Sequence, residues 1–295
     1  KNLFHFKNFV LRNGGNDNGQ TLFADGLVTS LVADKMDIDY QSYQPAVVFV
    51  NGQYWGIYNL REKLNDRYLA SNHHLNPAHL DMLEDHAEVI EGTADEYINL
   101  LNYVRNNDLS KQENYDHVKA QIDLNEYINY KITKMYMGYW LANLNNKFWK
   151  AASPHEKWRW ILFDLEHSFG KNGSHNCTEN TLDKIATFNN DLPEWSTLLL
   201  ADLLENESFR NEFVQRSAAY LNTIFSSANV VSTIDSLSLN LRPEMPKHIS
   251  KWGSDPLAIP SMATWLASVN DLREYARCRP DEVKKHIMQF FSIAD

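Results

Sequence analysis

Two asparagines, Asn145 and Asn146, and two acids, Asp164 and Glu166, stand on either side of a short strand-rich stretch. Amide and carboxylate oxygens are hard ligands. They suit magnesium or manganese and leave coordination positions open for phosphate oxygens. Whether such a set can assemble depends on the residues between. Lys147–Ala151 and Trp158–Phe163 are strand-like runs around the turn-rich Ser153, Pro154, His155 and Glu156, and they predict a hairpin. A hairpin returns its two ends to one place, so an asparagine can meet Asp164, with Glu166 two residues on and Gly170 closing the segment. A surface hairpin with turn asparagines and a strand-ending aspartate fits the same spacing, because Asp-x-Glu and Asn-Asn are common pairs.

Other groups carry less chemistry. His73, His74, His79 and His86 match no zinc-ligand spacing and read as loop and turn residues. There is no Gly-x-Ser-x-Gly nucleophile turn and no strand-linked Gly-x-Gly-x-x-Gly. Trp149, Trp158 and Trp160 could offer a sugar platform, but alternation in a hairpin puts one face in the core, and core packing is the better reading.

The elements that must hold the hairpin follow from pattern. Phe4–Leu11 alternates like a strand and Asn13–Asp17 is a turn cluster; Leu22–Met36 has helical spacing. Ala46–Asn51 and Tyr54–Leu60 flank Asn51–Gly52, a strong hairpin signal, and a helix runs from Lys63 into Ala70. Short strands are expected at Asp81–Glu84 and Ala87–Glu91. Helices are expected at Ala94–Asn106, Gln112–Ile122 and Asn125–Leu141, the last capped by Asp123 with Glu126 in the capping-box position. Residues 171–180 read as loop. From Pro193 onward the periodicity is helical, with interruptions expected at Pro243, Pro246, Pro256, Pro260 and Pro280.

The bulk properties set limits. The 295 residues, 43% hydrophobic and 12% aromatic with eight tryptophans, can fill one large core or two modest ones. A net charge of −10 argues against a sequence-independent grip on nucleic acid, although a metal and a few placed cations can offset a nucleotide's phosphates locally. No apolar run is long enough to span a membrane. Cys177 and Cys278 form no Cys-x-x-Cys pair and no framework. Two free thiols are the expectation, with a Cys177–Cys278 disulfide as the alternative.

The run WRWILFDLEHSFG, Trp158 to Gly170, resembles the signature of the spore-coat protein H (CotH) kinase family, W-R-W-I-x-x-D-x-D-x-x-F-G. Three further segments agree in order: FVLRNGGND (Phe9–Asp17), VFVNGQYWGIYNLREK (Val48–Lys63) and NNKFW (Asn145–Trp149). The resemblance covers roughly residues 4–170. It implies an α+β, divergent protein-kinase-like two-lobed fold. A β-rich N-lobe would occupy residues 1–92, its start and phosphate-covering loop lying near or before residue 1. A helical C-lobe would occupy 93–295 and carry the 143–170 hairpin. It further implies an atypical kinase that binds ATP with magnesium (manganese as the alternative) and transfers the γ-phosphate to a protein Ser/Thr hydroxyl, the protein substrate being unknown. Asp164 and Asn145 would be catalytic and hold metal with Glu166, and Asn146 would replace Asn145 if the loop register slipped by one. Arg12 and Asn13 would line the nucleotide cleft, and Glu62 would orient a phosphate contact. A surface, exported or spore-associated location is the family's habit.

Two departures matter. The family often carries an acid upstream of the asparagine, at the place of a catalytic base; that position here is Trp140, and no aspartate occurs between Asp123 and Asp164. The second acid of the signature is Glu166 rather than aspartate. A catalytically impaired pseudokinase, or a surface or coat assembly module, is therefore the rival reading.

Overall fold

A computed structural model describes residues 8–138, 145–152, 156–170, 176–187 and 192–294. In the first third, β1 (Phe9–Arg12) leads through a short 3-10 turn (Gly15–Asp17) to helix α1 (Ala24–Val32). Next come β2 (Asp39–Tyr40), β3 (Tyr43–Val50), β4 (Gln53–Glu62) and α2 (Asp66–His73). Strands β5 (Leu80–Glu84) and β6 (Glu88–Glu91) precede α3 (Asp95–Asn106), α4 (Gln112–Lys119) and α5 (Leu124–Tyr136). The second hairpin is β7 (Lys147–Ala151) and β8 (Arg159–Leu162). The remainder is helical: α6 (Thr181–Ala186), α7 (Glu194–Glu205), α8 (Glu207–Leu221), α9 (Ser227–Leu241), α10 (Met245–Trp252) and α11 (Met262–Phe290). This is an α+β architecture, strand-rich first and helical last, compatible with a kinase-like fold.

Two small sheets organise it. One is three-stranded in the order β1-β4-β3. The other is five-stranded in the order β2-β8-β7-β5-β6. The expected first hairpin forms around Asn51 and Gly52, both with left-handed backbone (φ 51° and 79°), as a tight two-residue turn requires. Strand β2 was not expected: at two residues it carries no periodicity, and it exists because it pairs in parallel with β8, Asp39 opposite Ile161. The core fills the space between the sheets and the helices. Trp158 and Trp160 are buried in it, and Trp149, opposite Arg159 on the other face of the hairpin, is buried in a second, smaller cluster with Tyr68, Leu69 and Ile161. Phe148, Trp158 and Tyr97 pack as a tilted and edge-on aromatic cluster.

Several boundaries move, each for a local reason. The second helix begins at Asp66 rather than Lys63, because Asn65 caps it by accepting from the Tyr68 N–H, while residues through Glu62 stay in the β4 ladder. The Asp123 carboxylate caps α5 by accepting from the Glu126 N–H at 3.2 Å. Glu126 does not complete the box; its buried carboxyl accepts from the Trp160 N–H at 2.9 Å and ties α5 to β8. Helix α5 ends at Tyr136, short of the expected Leu141, and residues 139–144, including Trp140, lie outside the described residues. So do 1–7, 153–155 and 171–175, where parts of the expected first strand, hairpin turn and loop fall.

Two expectations are overturned. Pro280 does not interrupt the last helix; α11 runs through it, because tertiary packing on both sides outweighs one lost backbone bond. Cys177 and Cys278 are not free thiols but a disulfide, joined across a separation of 101 residues, which no spacing pattern could announce.

Candidate functional site

The hairpin register builds the site. Lys147 lies opposite Ile161 and Phe148 opposite Trp160, so the strands converge where Asn145 precedes β7 and Asp164 follows β8. The amide nitrogen of Asn145 donates to the backbone carbonyl of Asp164 at 3.1 Å, closing the gap between the two ends. Both residues have left-handed backbone, φ 55° and 54°, which asparagine and aspartate tolerate better than other non-glycine residues. Phe169, φ 61°, shares that conformation a few residues on, and its N–H donates to the Met137 carbonyl at the end of α5.

Two carboxylates meet one cation here. Nη2 of Arg12 lies 2.7 Å from Oδ1 of Asp164 and 2.7 Å from Oε1 of Glu166. Arg12 reaches this point from β1 because the chain turns sharply after it. Buried Asp17 accepts from the Thr21 N–H (2.9 Å), the Thr21 hydroxyl (2.6 Å) and the Ala24 N–H (2.9 Å), fixing the turn to the start of α1. Gly15, φ 58°, packs directly on the acids: a Cβ there would come within 2.5 Å of the Glu166 Oε1. Any side chain at Gly15 would invade the site.

The two acids are driven apart in acidity. Burial, then its hydrogen bond and charge repulsion with Asp164, pushes Glu166 up to about 9. Asp164 is itself partly buried, but hydrogen bonds with Glu166 and Arg12 and the Arg12 charge outweigh that and hold it below the usual carboxylate range. The pair thus holds one proton and one negative charge around neutral pH, with Arg12 as counter-ion. Oε2 of Glu166 is buried and accepts no hydrogen bond among the described residues.

Of the sequence-predicted residues, the structure brings Arg12, Asn145, Asp164 and Glu166 together. Asn13 is next to Arg12, with its side-chain oxygen accepting from the Gly15 N–H at 3.1 Å. Asn146 turns inward instead. Its side-chain oxygen accepts from the Lys134 ammonium (2.9 Å) and the Tyr130 hydroxyl (3.0 Å), and its N–H donates to Asp85 (2.9 Å). Glu62 sits at the end of β4, not on a helix, and accepts from the Ser42 N–H and the Asn72 amide. Its neighbour Arg61 pairs with Asp25 at 2.9 Å.

Sequence reasoning missed Lys134 and Gly15. Lys134 is buried on α5, its ammonium also reaching the Asn145 carbonyl at 3.3 Å, and burial lowers its pKa well below the usual lysine value. Helix α5 also buries Glu126, Asn129, Lys131 and Thr133, so nothing in its pattern singled out Lys134. For Gly15 the signal was the Gly14–Gly15 pair within Asn13–Asp17.

Among the described residues no cluster of three or more His, Cys, Asp or Glu is poised for a metal. The donor set is two carboxylates plus the Asn145 amide, with a cationic guanidinium already between the acids and one buried Glu166 oxygen unmatched. That set fits a hard divalent cation that keeps several waters or takes phosphate oxygens, better than zinc. A family model described as CotH kinase protein matches residues 1–283 of the chain. No curated protein matches it.

Proposed function

Because the chain belongs to the CotH kinase family, we propose that it binds ATP with magnesium, or manganese, at Asp164, Glu166 and Asn145 and transfers the γ-phosphate to a Ser/Thr hydroxyl of a protein. The observation that carries the reading is the convergence of Asp164 and Glu166 on a single point, each 2.7 Å from one guanidinium nitrogen of Arg12. Two acids already arranged around one cation present the carboxylate pair that a divalent ion takes once Arg12 moves aside and Glu166 loses its proton.

Bound metal would supply neutralisation of the β- and γ-phosphate oxygens. The chain's own residues do the rest. Asp164 stays ionised and so is ready to accept a cation. Glu166 must give up its proton to join it. Arg12, displaced from one or both acids, is within reach of a phosphate oxygen and would keep the charge balanced as the nucleotide enters. Asn145 holds the Asp164 backbone in its left-handed turn and so aims the carboxylate. Glu62 and Asn13 support the cleft wall, and Asn146 braces Asn145 from behind through Lys134. In this reading residues 1–92 act as the N-lobe and 93–295 as the C-lobe.

One sequence observation favours a second reading. With Trp140 where the family often carries an acid, no aspartate between Asp123 and Asp164 is available as a general base. Phosphoryl transfer depends more on positioning and charge than on proton removal, so a nucleotide-binding pseudokinase is the form that this loss would take. Calorimetric titration with ATP, with and without magnesium, tests both. The expected result is magnesium-dependent binding in the wild type that Asp164→Ala abolishes, followed by phosphate transfer in a radiolabel assay. Binding without transfer selects the pseudokinase; no binding removes the nucleotide reading altogether.

A further inference from the structure

Behind the turn that carries Arg12 lies a second, polar pocket. Its cavity is about 150 Å³, lined by Asn13, Asn18, Tyr58, His248, Trp252 and Asp255. The residues come from the Asn13–Asn18 turn, β4, α10 and the loop after α10. Their closeness depends on one glycine. At Gly56 the backbone has φ 138°, and a Cβ would meet the Trp252 indole nitrogen at 2.9 Å and Nδ1 of His248 at 3.1 Å. Helix α10 can therefore lie directly on β4, and the Trp252 indole donates to the Trp55 carbonyl at 2.6 Å.

His248 is the informative residue. It is only 4% exposed, and its Nδ1 accepts from the Ile57 N–H at 3.0 Å. An accepting Nδ1 carries no proton, so the neutral ring bears its proton on Nε2. Burial also lowers the pKa of His248 and keeps the ring neutral. That Nε2–H is buried and has no acceptor among the described residues. A buried donor of this kind is uncommon in a folded protein and points to an absent partner.

The other lining groups define what the partner is. Donors are the Asn13 amide nitrogen, whose oxygen is taken by the Gly15 N–H, and the Tyr58 hydroxyl, whose oxygen already accepts from the Trp55 indole. Acceptors are the Asn18 amide oxygen, whose nitrogen is held by the Leu257 carbonyl, and the second oxygen of Asp255, whose first accepts from the Leu257 N–H. A carboxylate in the wall disfavours a phosphate. Donors and acceptors side by side suit hydroxyl groups, each of which both gives and takes a bond. An aromatic wall suits the C–H face of a ring. The volume is below that of a pocket for a whole drug-sized ligand, so it holds one ring.

We propose that this pocket is a subsite for a hydroxylated sugar ring, with His248 Nε2–H donating to a ring hydroxyl or ether oxygen. The ring has two possible sources: the ribose of a nucleotide whose phosphates reach Arg12, the residue next to Asn13, or a free saccharide. The first source rests on the kinase reading above; the second does not.

Calorimetry on the full chain separates them. The probes are ATP and 2′-deoxy-ATP, each with magnesium, and the monosaccharides ribose, glucose and galactose. The expected result is either a preference of about tenfold for ATP over its deoxy analogue, the worth of about one good hydrogen bond, or measurable monosaccharide binding. Either should vanish in His248→Phe and Asp255→Ala, with Asn18→Ala as a rim variant that spares the packing and circular dichroism checking each fold. Equal affinity for the two nucleotides together with no saccharide binding overturns the subsite and leaves metal-dependent ATP binding standing. Saccharide binding without any ATP binding keeps the subsite and sinks the kinase reading. A preference that persists in all three variants overturns the assignment of the pocket.

Discussion

At the scale of single residues, the site is an electrostatic compromise among Arg12, Asp164 and Glu166, and its consequences for stability have opposite signs. Glu166 is raised in the folded state, so the native protein holds its proton more tightly than the unfolded chain does. The stability from that proton is present below the ordinary glutamate value of 4.5 and is lost as pH climbs toward about 9. Asp164 is lowered, so its contribution is present above the ordinary 3.8 and is lost as pH falls. Thermal melting across pH should therefore show a decline between about pH 4.5 and 9 that flattens in Glu166→Gln, which keeps a neutral side chain there. A decline of equal slope in that variant would assign it to other groups. Arg12→Ala leaves two acids facing each other without a counter-ion. Because the Arg12 side chain is 30% exposed, the cost should be about 1–2 kcal/mol, less than for a fully buried pair. Magnesium should restore more of the melting temperature in that variant than it adds to the wild type, readable by calorimetry or fluorescence.

At the scale of elements, the segment leading to the site is held by one buried cation. Arg279, on α11, is fully buried. It donates to the carbonyls of Met135 and Tyr136 at the end of α5, to those of Cys177 and Glu179, and to the Thr181 hydroxyl at the start of α6. A guanidinium at a helix C-terminus adds donors to the last carbonyls of the helix, and the helix dipole favours its charge. Arg279→Met should cost about 3–5 kcal/mol, because it removes five hydrogen bonds from a buried, charged donor at once, although the Gly138 N–H, the Tyr275 hydroxyl and the Thr181 N–H still reach three of the carbonyls. Arg279→Lys should recover only part, since an ammonium cannot fork to five partners. Urea unfolding of both variants measures this; near-equal losses would mean that packing, not the fork, does the holding.

At the scale of the whole molecule, the Cys177–Cys278 disulfide closes a loop of 101 residues that contains α6 through most of α11. Cross-linking so long a loop removes unfolded-state freedom worth about 4–5 kcal/mol in the chain-entropy picture. The Cys177→Ser/Cys278→Ser variant should therefore unfold at clearly lower urea than the wild type, and dithiothreitol should shift the wild type toward it. Coincident curves would show that helix packing alone sets the stability of this half. The disulfide and Arg279 join the same pieces, α11 to the segment before α6, so their losses should not add when combined.

Local pattern was enough for much of this protein. Alternation and the Asn51–Gly52 turn located the first hairpin, and the second hairpin with Asn145 and Asp164 at its ends followed from strand-like runs around a turn. The Asp123 cap and the helical run after Pro193 were equally legible, because turn chemistry and periods of 2 and 3.6 act over a few residues. What was not legible depends on which distant segments meet. Arg12 lies 152 residues from Asp164, and only the stacking of the Asn13–Asp17 turn against the second hairpin placed its guanidinium between two acids. That Lys134 and Tyr130 claim the Asn146 side chain, while the Asn145 amide reaches the Asp164 carbonyl, likewise depends on where α5 packs. Strand β2, the continuation of α11 through Pro280, the disulfide and the His248 pocket belong to the same class. Each is decided by burial and close approach between segments, where packing outweighs local propensity and where a sequence carries no spacing to read.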